Sequence, residues 1–577
     1  MNMKTTIIIL LLTLQVSAQS WQWGKRGGST DNLNASGGTI EEVTQIVTDS
    51  QNNIYMISAV GKNGLDVDGT PKNYYDNPGT FIKDEFVLAS FSCDGTYRWS
   101  KIIGGFEREN ISNLKIDSQD NVYVCGKFGG ANATYPSRID DDVIISQTPL
   151  DYSLIFLVKY NSNGVLQWFK RPQLSTVSST EGISQTGSHD MDIDMDGNIN
   201  WLVALPPGIY ENGALTTTQS HEFKYILKYD SNGNFISGLP INLSTFTTYG
   251  INLKFNLNSN NGNYYFYSYR VSSSDGATVG NQTINNSAFL ACFNNLGQFQ
   301  WVRESSTPNP SRFRIFNTTF DNNNNIYMCG RILGSNTVSF LGFSVPEATQ
   351  PNFVLKLNSD ATTLLWSTYT SAPVINAYPI GFLTLKNNEL AFTNYCFGTY
   401  VWGSQSMVVN NGNQGTQPLL ARFNKDTGAC IGLSSISNDL LTSDTGRALT
   451  VDSNGDYIMG GSFGSQLNFT TNTINATGAQ SDFFIAKFST SVCSLSTEDF
   501  KEEGLELAPN PFEKSVVVRT KENLKYELYN ALGNKVKDGT LIELQNSIDV
   551  SDLSSGSYIL KTISSSGAVK SVKLLKK

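Results

Sequence analysis

Short runs of alternating apolar and polar residues, separated by turns rich in Asn, Asp and Gly, fill most of the chain. Such alternation places successive side chains on opposite faces of a strand, and turn residues between two runs indicate a hairpin. Examples are "LKIDSQDNVYVCG", ending at Gly126, and "LTVDSNGDYIMGG", ending at Gly461. The pattern predicts an all-β protein built from antiparallel hairpins.

This first hairpin recurs seven times, with spacings of 62 to 77 residues between equivalent positions. The anchors are Asp49, Asp117, Asp194, Asn256, Asp321, Lys386 and Asp452. A second hairpin follows each copy, and four of these end in a tryptophan that we expect to pack between neighbouring units: Trp99, Trp168, Trp301 and Trp366. Two hairpins make four antiparallel strands, the size of one propeller blade.

The seventh unit stops early, because "FFIAKFSTSVCS" ends at Ser494 without a tryptophan. The segment "WQWGKRGG" near the N-terminus is similar to "RWSKIIGG", which ends the second hairpin of the first unit at Gly105. We therefore expect residues 20–28 to pair beside residues 482–490 and so cover an exposed sheet edge. The prediction is a seven-bladed β-propeller over residues 19–496, closed by its N-terminal strand.

The repeated "D-S-x-G-N-x-Y-x-x-G" hairpin, followed by "F-x-x-K-x-x-x-x-G-x-x-x-W", resembles the SBBP-like β-propeller repeat family of exported bacterial proteins. The resemblance covers about four-fifths of the chain, and the third, fourth and sixth units depart most from it. It implies a scaffold and brings no catalytic residues with it.

The first 18 residues are predicted to be a signal peptide. Lys4 supplies the positive charge, residues 7–14 the apolar core, and residues 16–18 the small-residue cleavage site. No other run approaches the ~20 apolar residues that a membrane-spanning helix needs. Residues 497–505 read as an acidic linker before a separate tail.

In the tail, "YELYNALGNKV" reads as strand, turn and strand, and the last residues read as a hairpin. Residues 506–577 resemble the type A C-terminal sorting domain of the Bacteroidetes type IX secretion system. The matching residues are Pro509, Asn510, Pro511, Phe512, Gly533, Leu553, Gly556, Tyr558, Lys576 and Lys577. The resemblance implies a small Ig-like β-sandwich, the secretion machinery as partner, and surface attachment or release.

Composition excludes several classes of function. The formal charge of −9 argues against nucleic acid as a main partner, and two histidines exclude a multi-histidine metal site. Seven cysteines do not suggest a disulfide framework in so long a chain. Equivalent strand positions predict buried thiols at Cys125, Cys329 and Cys396, while a bridge between Cys430 and Cys493 is a disfavoured alternative.

One segment is a candidate calcium site. Asp192, Asp194 and Asp196 precede a glycine as in the first half of a calcium loop, but Val203 stands where the bidentate Glu belongs. The favoured alternative is structural, because Asp194 anchors a repeat and the alternation fits a half-buried strand. No other cofactor is indicated.

Residues leading into the innermost strands are candidates for a ligand-facing mouth: Glu41, Glu107, Tyr249, Arg312 and Arg447. They do not recur between units. The favoured hypothesis is a non-catalytic secreted or outer-membrane surface protein that binds or adheres to an extracellular glycan or protein. The alternative is a polysaccharide hydrolase or lyase with carboxylates at the central mouth.

Overall fold

The chain forms two compact units, Met1–Val492 and Cys493–Lys577. The computed structural model describes residues 19–30, 40–75, 85–105, 109–130, 133–146, 154–172, 174–177, 186–218, 223–245, 253–272, 276–309, 312–333, 338–345, 351–371, 381–386, 388–409, 415–438, 442–477, 481–490, 493, 505–508, 512, 514–520, 523–530, 534–542, 544–564 and 569–576. The predicted signal peptide lies outside the described residues.

The first unit is all-β, as predicted. Its described strands include seven antiparallel groups of four, here named sheets 1 to 7, and a small hairpin of the following unit extends three of these groups to six strands. Sheet 1 contains Val43–Thr48, Ile54–Val60, Glu85–Phe91 and Tyr97–Gly104; sheet 2, Asn110–Ile116, Val122–Lys127, Ile155–Tyr160 and Leu166–Lys170; sheet 3, Gly187–Ile193, Ile199–Ala204, Phe223–Tyr229 and Phe235–Thr245; sheet 4, Lys254–Asn258, Asn263–Tyr269, Ala288–Phe293 and Phe299–Glu304. Sheet 5 contains Phe313–Phe320, Ile326–Ile332, Asn352–Leu357 and Leu364–Tyr369; sheet 6, Phe382–Lys386, Glu389–Cys396, Gln417–Asn424 and Cys430–Ser435; sheet 7, Thr445–Val451, Tyr457–Phe463, Asp482–Ser489 and Ser20–Gly28.

The repeated Asp holds the turn between the first two strands of a sheet. In sheet 5, Asp321 Oδ1 accepts the backbone N–H groups of Asn323 (3.0 Å) and Asn325 (2.9 Å). Its Oδ2 accepts the Tyr327 hydroxyl (3.1 Å) and pairs with Lys356 of the third strand (3.1 Å). One carboxylate therefore links three parts of a sheet, which explains why Asp, Asn, Tyr and Lys recur together.

Two predicted anchors were wrong. In sheet 4 the turn is held by Asn258, whose Oδ1 accepts the Asn260 N–H (3.1 Å), while Asn256 lies inside the strand and bonds to Thr318 of sheet 5. In sheet 6, Lys386 donates to the carbonyl of Asp452 in sheet 7. Both side chains connect neighbouring sheets, a use that the alignment of repeats does not reveal.

The N-terminal strand completes sheet 7. Ser20–Gly28 pairs antiparallel with Asp482–Ser489, in the register Ser20 to Ser489, Trp23 to Lys487 and Gly27 to Phe483. The pairing predicted for residues 20–28 is confirmed. Since the third strand of sheet 7 would otherwise present a bare edge, this pairing satisfies its backbone groups.

Each unit also carries a small hairpin between its second and third strands, which sequence analysis missed. In sheet 2 the hairpin strand Ser137–Ile139 pairs with the outer strand of sheet 1. In sheet 1 the hairpin strand Asp66–Val67 pairs in the same way with Ser20–Gly28. Bonds or bridges of the same kind join the other hairpins to the preceding outer strand or its continuation. The N-terminal strand therefore makes the same contact with the hairpin of sheet 1 that the outer strand of sheet 1 makes with the hairpin of sheet 2.

Tryptophans pack between neighbouring units, as predicted. Trp99 Nε1 donates to the carbonyl of Ser162 in the next sheet (3.0 Å), and its ring lies against Gly164, whose φ is 75°. A Cβ at Gly164 would approach this ring within 2.6 Å, so glycine is required there. Trp23 of the N-terminal strand lies against Gly95 of sheet 1 in the same manner.

The C-terminal unit consists of two antiparallel sheets. One has the strand order Leu505–Ala508, Ser515–Thr520 and Leu544–Asp549; the other has Lys535–Leu541, Leu524–Asn530, Gly556–Ser564 and Val569–Lys576. Val518 and Ile548 from the first sheet share a buried apolar cluster with Leu528 and Leu560 from the second. The predicted strand–turn–strand and terminal hairpin are both present.

Replacing Trp23 by alanine tests whether the N-terminal strand stabilises the first unit. The side chain is 3% exposed and belongs to the cluster that contains Val43 and Ile54 of sheet 1. We expect W23A to lower the free energy of unfolding by about 3–5 kcal/mol, measured by urea denaturation. The equivalent W99A should cost a similar amount, and V165A, at a position 56% exposed, should cost little. An unchanged midpoint for W23A would contradict the packing role.

Candidate functional site

One cavity of about 450 Å³ is lined by the first strands of all seven sheets. A representative from each strand, in order from sheet 1 to sheet 7, is Gln45, Asn113, Asp190, Asn256, Asn317, Thr384 and Thr450. Its volume lies in the range of pockets that hold small molecules or single sugar units. This cavity is the candidate binding site of the first unit.

Side chains bridge the first strands of neighbouring sheets around this cavity. The Ser112 hydroxyl donates to the Ser188 carbonyl (2.9 Å), and the Thr48 hydroxyl to the Val451 carbonyl (3.5 Å). Each first strand is the inner edge of its sheet, so its backbone groups need such partners. The bridges join matching positions in successive strands, and these strands therefore begin at the same end of the cavity, here named the upper mouth.

The calcium candidate Asp192 serves as such a bridge, and so does the nearby Asp190. Asp190 Oδ2 accepts the Phe255 N–H (3.1 Å), and Asp192 Oδ2 accepts the Leu257 N–H (3.0 Å), both in sheet 4. Asp192 also pairs with Lys115 of sheet 2 (3.0 Å).

Asp194 holds its own turn and pairs with Lys228 (2.7 Å), and Asp196 is exposed. Throughout the described residues, no group of three His, Cys, Asp or Glu side chains is arranged to hold a metal ion. The geometry of these aspartates fits the structural alternative.

Of the five predicted mouth residues, the three that the structure describes do not form one cluster. Glu107 and Tyr249 lie outside the described residues. Arg447 lines the cavity and pairs with Glu42, and Arg312 is half-buried with its guanidinium 3.4 Å from the Leu333 carbonyl.

Glu41 is buried beside the N-terminal strand instead. It accepts the Ser29 hydroxyl (2.7 Å) and the Gly61 N–H (2.6 Å) and is only 2% exposed. Burial raises the pKa of Glu41 from 4.5 to about 8, although these hydrogen bonds oppose the shift. Through these hydrogen bonds, Glu41 links the end of the N-terminal strand to sheet 1.

Glu109 also lines the cavity, together with Lys115 and Lys254, which sequence analysis missed. Amides and hydroxyls make up much of the rest of its wall. Both Glu109 and Asp190 are buried, and burial raises the pKa of Asp190 above its usual range while Lys254 and Lys115 oppose this. The arrangement favours hydrogen bonding to a polar ligand over proton transfer between two accessible carboxylates.

The cysteines follow the prediction in part. Cys125, Cys329 and Cys396 are buried free thiols, as expected, and burial raises the pKa of Cys125 to about 12. Cys430 is also a free thiol, so the bridge considered between Cys430 and Cys493 is wrong. Cys493 is disulfide-bonded, and so is Cys93, for which the repeat pattern gave no signal.

In the tail, the described residues of the sorting motif meet in one place. Phe512 is fully buried, its ring centroid lies 6.4 Å from that of Tyr558, and its N–H donates to the Leu575 carbonyl (2.8 Å). The Tyr558 hydroxyl donates to the Ser554 carbonyl (2.7 Å).

The ammonium group of Lys576 joins this cluster from the last strand. It donates to the carbonyls of Val550 (2.5 Å) and Leu553 (2.5 Å) and so holds the turn that precedes Tyr558. Gly556 begins the strand that carries Tyr558. Pro509, Asn510, Pro511, Gly533 and Lys577 lie outside the described residues.

Residues 506–577 match the family model described as the secretion system C-terminal sorting domain. The tail is a type IX secretion sorting domain. The chain is therefore exported and is either held at the cell surface or secreted. Among the described residues, no helix has the length and apolar character needed to cross a bilayer.

Other comparisons add little. No curated protein matches the chain. Two similar solved structures are proteins of unknown function. One, from Bacteroides caccae, has 10% identity and a TM-score of 0.30, and covers 60% of this chain and 89% of its own. The other, from Dyadobacter fermentans DSM 18053, has 8% identity and a TM-score of 0.35, and covers 81% and 98%. At these TM-scores neither similarity supports an argument about this chain.

The buried Glu41 predicts a pH dependence of stability. Below pH 4.5 the carboxyl is protonated in both states; between pH 4.5 and about 8 the unfolded chain releases the proton while the folded chain retains it. Stability should therefore fall as pH rises through this range, by on the order of a few kcal/mol. Urea denaturation of E41Q should show a flatter pH profile between pH 5 and 8. The exposed control D196N should keep the wild-type slope, and a wild-type slope in E41Q would contradict the assignment.

Lys576 predicts a second effect, on the sorting domain. K576M removes a charged donor from partly buried carbonyls and should destabilise this domain by roughly 1.5–3 kcal/mol. The full-length protein should then lose its tail faster under limited proteolysis, and less of it should reach the cell surface. K525M, at an exposed position of the same domain, is the matched control. Equal protease resistance in K576M and wild type would show that these bonds do not matter.

Proposed function

We propose that this protein is an exported seven-bladed β-propeller that binds an extracellular glycan or protein at its central cavity. The sorting domain delivers it to the surface or the medium through the type IX machinery. The cavity lined by one strand from each of seven sheets is the observation that carries this proposal.

Three features support the propeller. The described strands form seven antiparallel groups of four in chain order, three of them extended by a small hairpin, and the N-terminal strand supplies the outer strand of the last group. A small hairpin joins each unit to the outer strand that precedes it, including the junction between Ser20–Gly28 and sheet 1. For the tail, two sheets sharing one core support an Ig-like sandwich of the type A sorting class.

The wall of the cavity supports binding. Gln45 and Asn110 line the cavity with amides that can both donate and accept hydrogen bonds, as sugar hydroxyls or peptide groups require. The amides of Asn113 and Asn256, by contrast, bond to neighbouring first strands. Phe316 and Phe382 add apolar surface. We propose a non-catalytic role for the site on this basis.

The alternative is a polysaccharide hydrolase or lyase. It is supported by the two carboxylates that line the cavity, Glu109 and Asp190, since glycoside hydrolysis uses paired carboxylates. It is weakened by their burial and by the hydrogen bond that Asp190 accepts from Phe255.

A glycan and polysaccharide array probed with the mature protein separates the two functions. Retention without product release supports binding, whereas release of reducing or unsaturated ends supports the enzyme. A parallel array of extracellular proteins tests whether the ligand is a protein. If the protein shows neither retention nor product release on any array, the proposal is rejected.

Filling the cavity tests its location. Thr384 lies in the first strand of sheet 6, lines the cavity and is half-buried. T384W should reduce retention of the best array ligand by at least about tenfold, which corresponds to ~1.4 kcal/mol, because the indole occupies ligand space. T362W, in an exposed turn, is the control, and both variants should unfold near the wild-type midpoint. Unchanged retention by T384W would place the ligand elsewhere.

A further inference from the structure

Three cations among the described residues line the cavity, and two of them are held in ion pairs. Lys115 of sheet 2 pairs with Asp192 of sheet 3 (3.0 Å), and Arg447 of sheet 7 pairs with Glu42, which precedes sheet 1. A ligand that broke such a pair would leave a partly buried charge without its partner, which is costly. These side chains therefore offer little attraction to an ionic ligand.

The third cation, Lys254, is engaged with the wall on the side of sheets 2 and 3. Its Nζ donates to the carbonyl of Ser112 (3.3 Å). Burial raises the pKa of Asp190, and the charge of Lys254 opposes this rise, so the two side chains lie near each other. Positive and negative groups thus alternate around the cavity. A charged ligand would lose its hydration there without meeting an excess of opposite charge, so an uncharged polar ligand is favoured.

Sheets 2 to 5 also use their amides for bonds among themselves. The Asn113 amide donates to the carboxylate of Asp190, and the Asn256 amide donates to the carbonyl of Thr318. A ligand could bond to these groups only by displacing a partner that the protein already supplies. This half of the wall is therefore the less suitable one for ligand binding.

The wall formed by sheets 6, 7 and 1 differs. The first strands of these sheets contact one another in that order, and Thr384, Thr450 and Gln45 line the cavity from them. All three side chains are half-buried, and within the part of the chain that the structure describes none of them makes a hydrogen bond. Their hydroxyl and amide groups can bond to a ligand without displacing a protein partner.

An aromatic ring lies beside these polar groups. Lys386 donates to the carbonyl of Asp452, and Thr384 and Thr450 each lie two residues before this pair, at the same level of neighbouring strands. Phe382 lies two residues before Thr384, so it is on the same face of its strand, and it lines the cavity half-buried. One wall thus combines an apolar ring with two hydroxyls and, from sheet 1, an amide.

We propose that the wall formed by Gln45, Phe382, Thr384 and Thr450 binds one uncharged sugar unit of a neutral polysaccharide. This inference rests on the proposed function and names its ligand class. A sugar ring carries hydroxyl groups around its edge and C–H groups on its face. The hydroxyls suit the threonine and glutamine side chains, the C–H face suits the phenyl ring, and a cavity of about 450 Å³ has room for one such unit.

An extended peptide suits the cavity less well. Peptides that bind by strand addition need an exposed strand edge with its backbone groups available. The inner edges of the first strands are bridged already: the Thr48 hydroxyl donates to the Val451 carbonyl (3.5 Å), and Asp192 accepts the Leu257 N–H (3.0 Å). Side-chain recognition of a compact polar ring avoids this obstacle.

The test compares immobilised polymers that differ in charge. Dextran, mannan and xylan are neutral, dextran sulfate adds charge to the dextran backbone, and polygalacturonate supplies carboxylates. Binding of the full-length mature protein is measured at about 50 and about 300 mM NaCl, which differ in how strongly they screen charges.

The variants are T450V and Q45L, which remove hydrogen-bonding groups from the proposed wall. The matched control is T319V. Thr319 lies two residues before Asp321 in sheet 5, as Thr450 lies two residues before Asp452 in sheet 7, but it is outside the lining of the cavity. The melting temperature of each variant is measured alongside binding.

We expect a neutral polysaccharide to bind most tightly, with an affinity that changes less than about twofold with salt, because salt screens only interactions between charges. T450V and Q45L should each weaken this binding by about three- to tenfold with an unchanged melting temperature, because each loses a hydrogen bond to the sugar. T319V should bind as the wild type does.

Tighter binding of dextran sulfate or polygalacturonate than of every neutral polymer would overturn the inference and leave the proposed function standing. Wild-type affinity in both T450V and Q45L, or an equal loss in T319V, would overturn it too. Retention of extracellular proteins alone would also remove the sugar ligand but not the proposed function, which includes a protein ligand. No binding to any glycan or protein would reject both.

Discussion

The pairing of the first described strand with the last strand of the seventh unit is the constraint on which the rest of the first unit depends. Without it, Asp482–Ser489 would end sheet 7 as a bare edge, and the hairpin strand Asp66–Val67 would lose its partner. Edge strands are sites of unwanted pairing, so a protein exported into a crowded exterior needs this edge covered. Arg26 strengthens the junction, because it pairs with both Asp482 and Asp66.

A similar need explains the inner side of the sheets. Each first strand has a hydrogen-bonded neighbour in its own sheet on one side only, and it also contacts the first strands of neighbouring sheets. The backbone groups on the unpaired side still need hydrogen-bond partners. Side chains of the neighbouring first strand supply some of these partners: Asp190, Asp192 and Asn256. Polar residues in the centre of this unit are therefore structural as often as they are available to a ligand, which is why burial and partners must be known before a role is assigned.

The sequence was sufficient for features that repeat. Asp321, Asn325 and Tyr327 form one local network, so the motif predicts the turn and its strands. It was insufficient where a side chain acts between units. Asn256 was taken for a turn anchor although it bridges sheets 4 and 5, and Glu41 was placed at the mouth although it is buried beside Ser29.

The order of the chain also bears on folding. The strand nearest the N-terminus is synthesised first, yet its partner, Asp482–Ser489, is synthesised only after all the other strands of the seven sheets. Contacts between residues so far apart in sequence form slowly, because the loop-closure entropy must be lost before any contact is gained. Sheets 1 to 6 contain all four of their strands locally and can form first, so the final pairing depends on surfaces already in place. Trp23 packs against Gly95 of sheet 1, so the strand that pairs last docks onto a surface that is already formed.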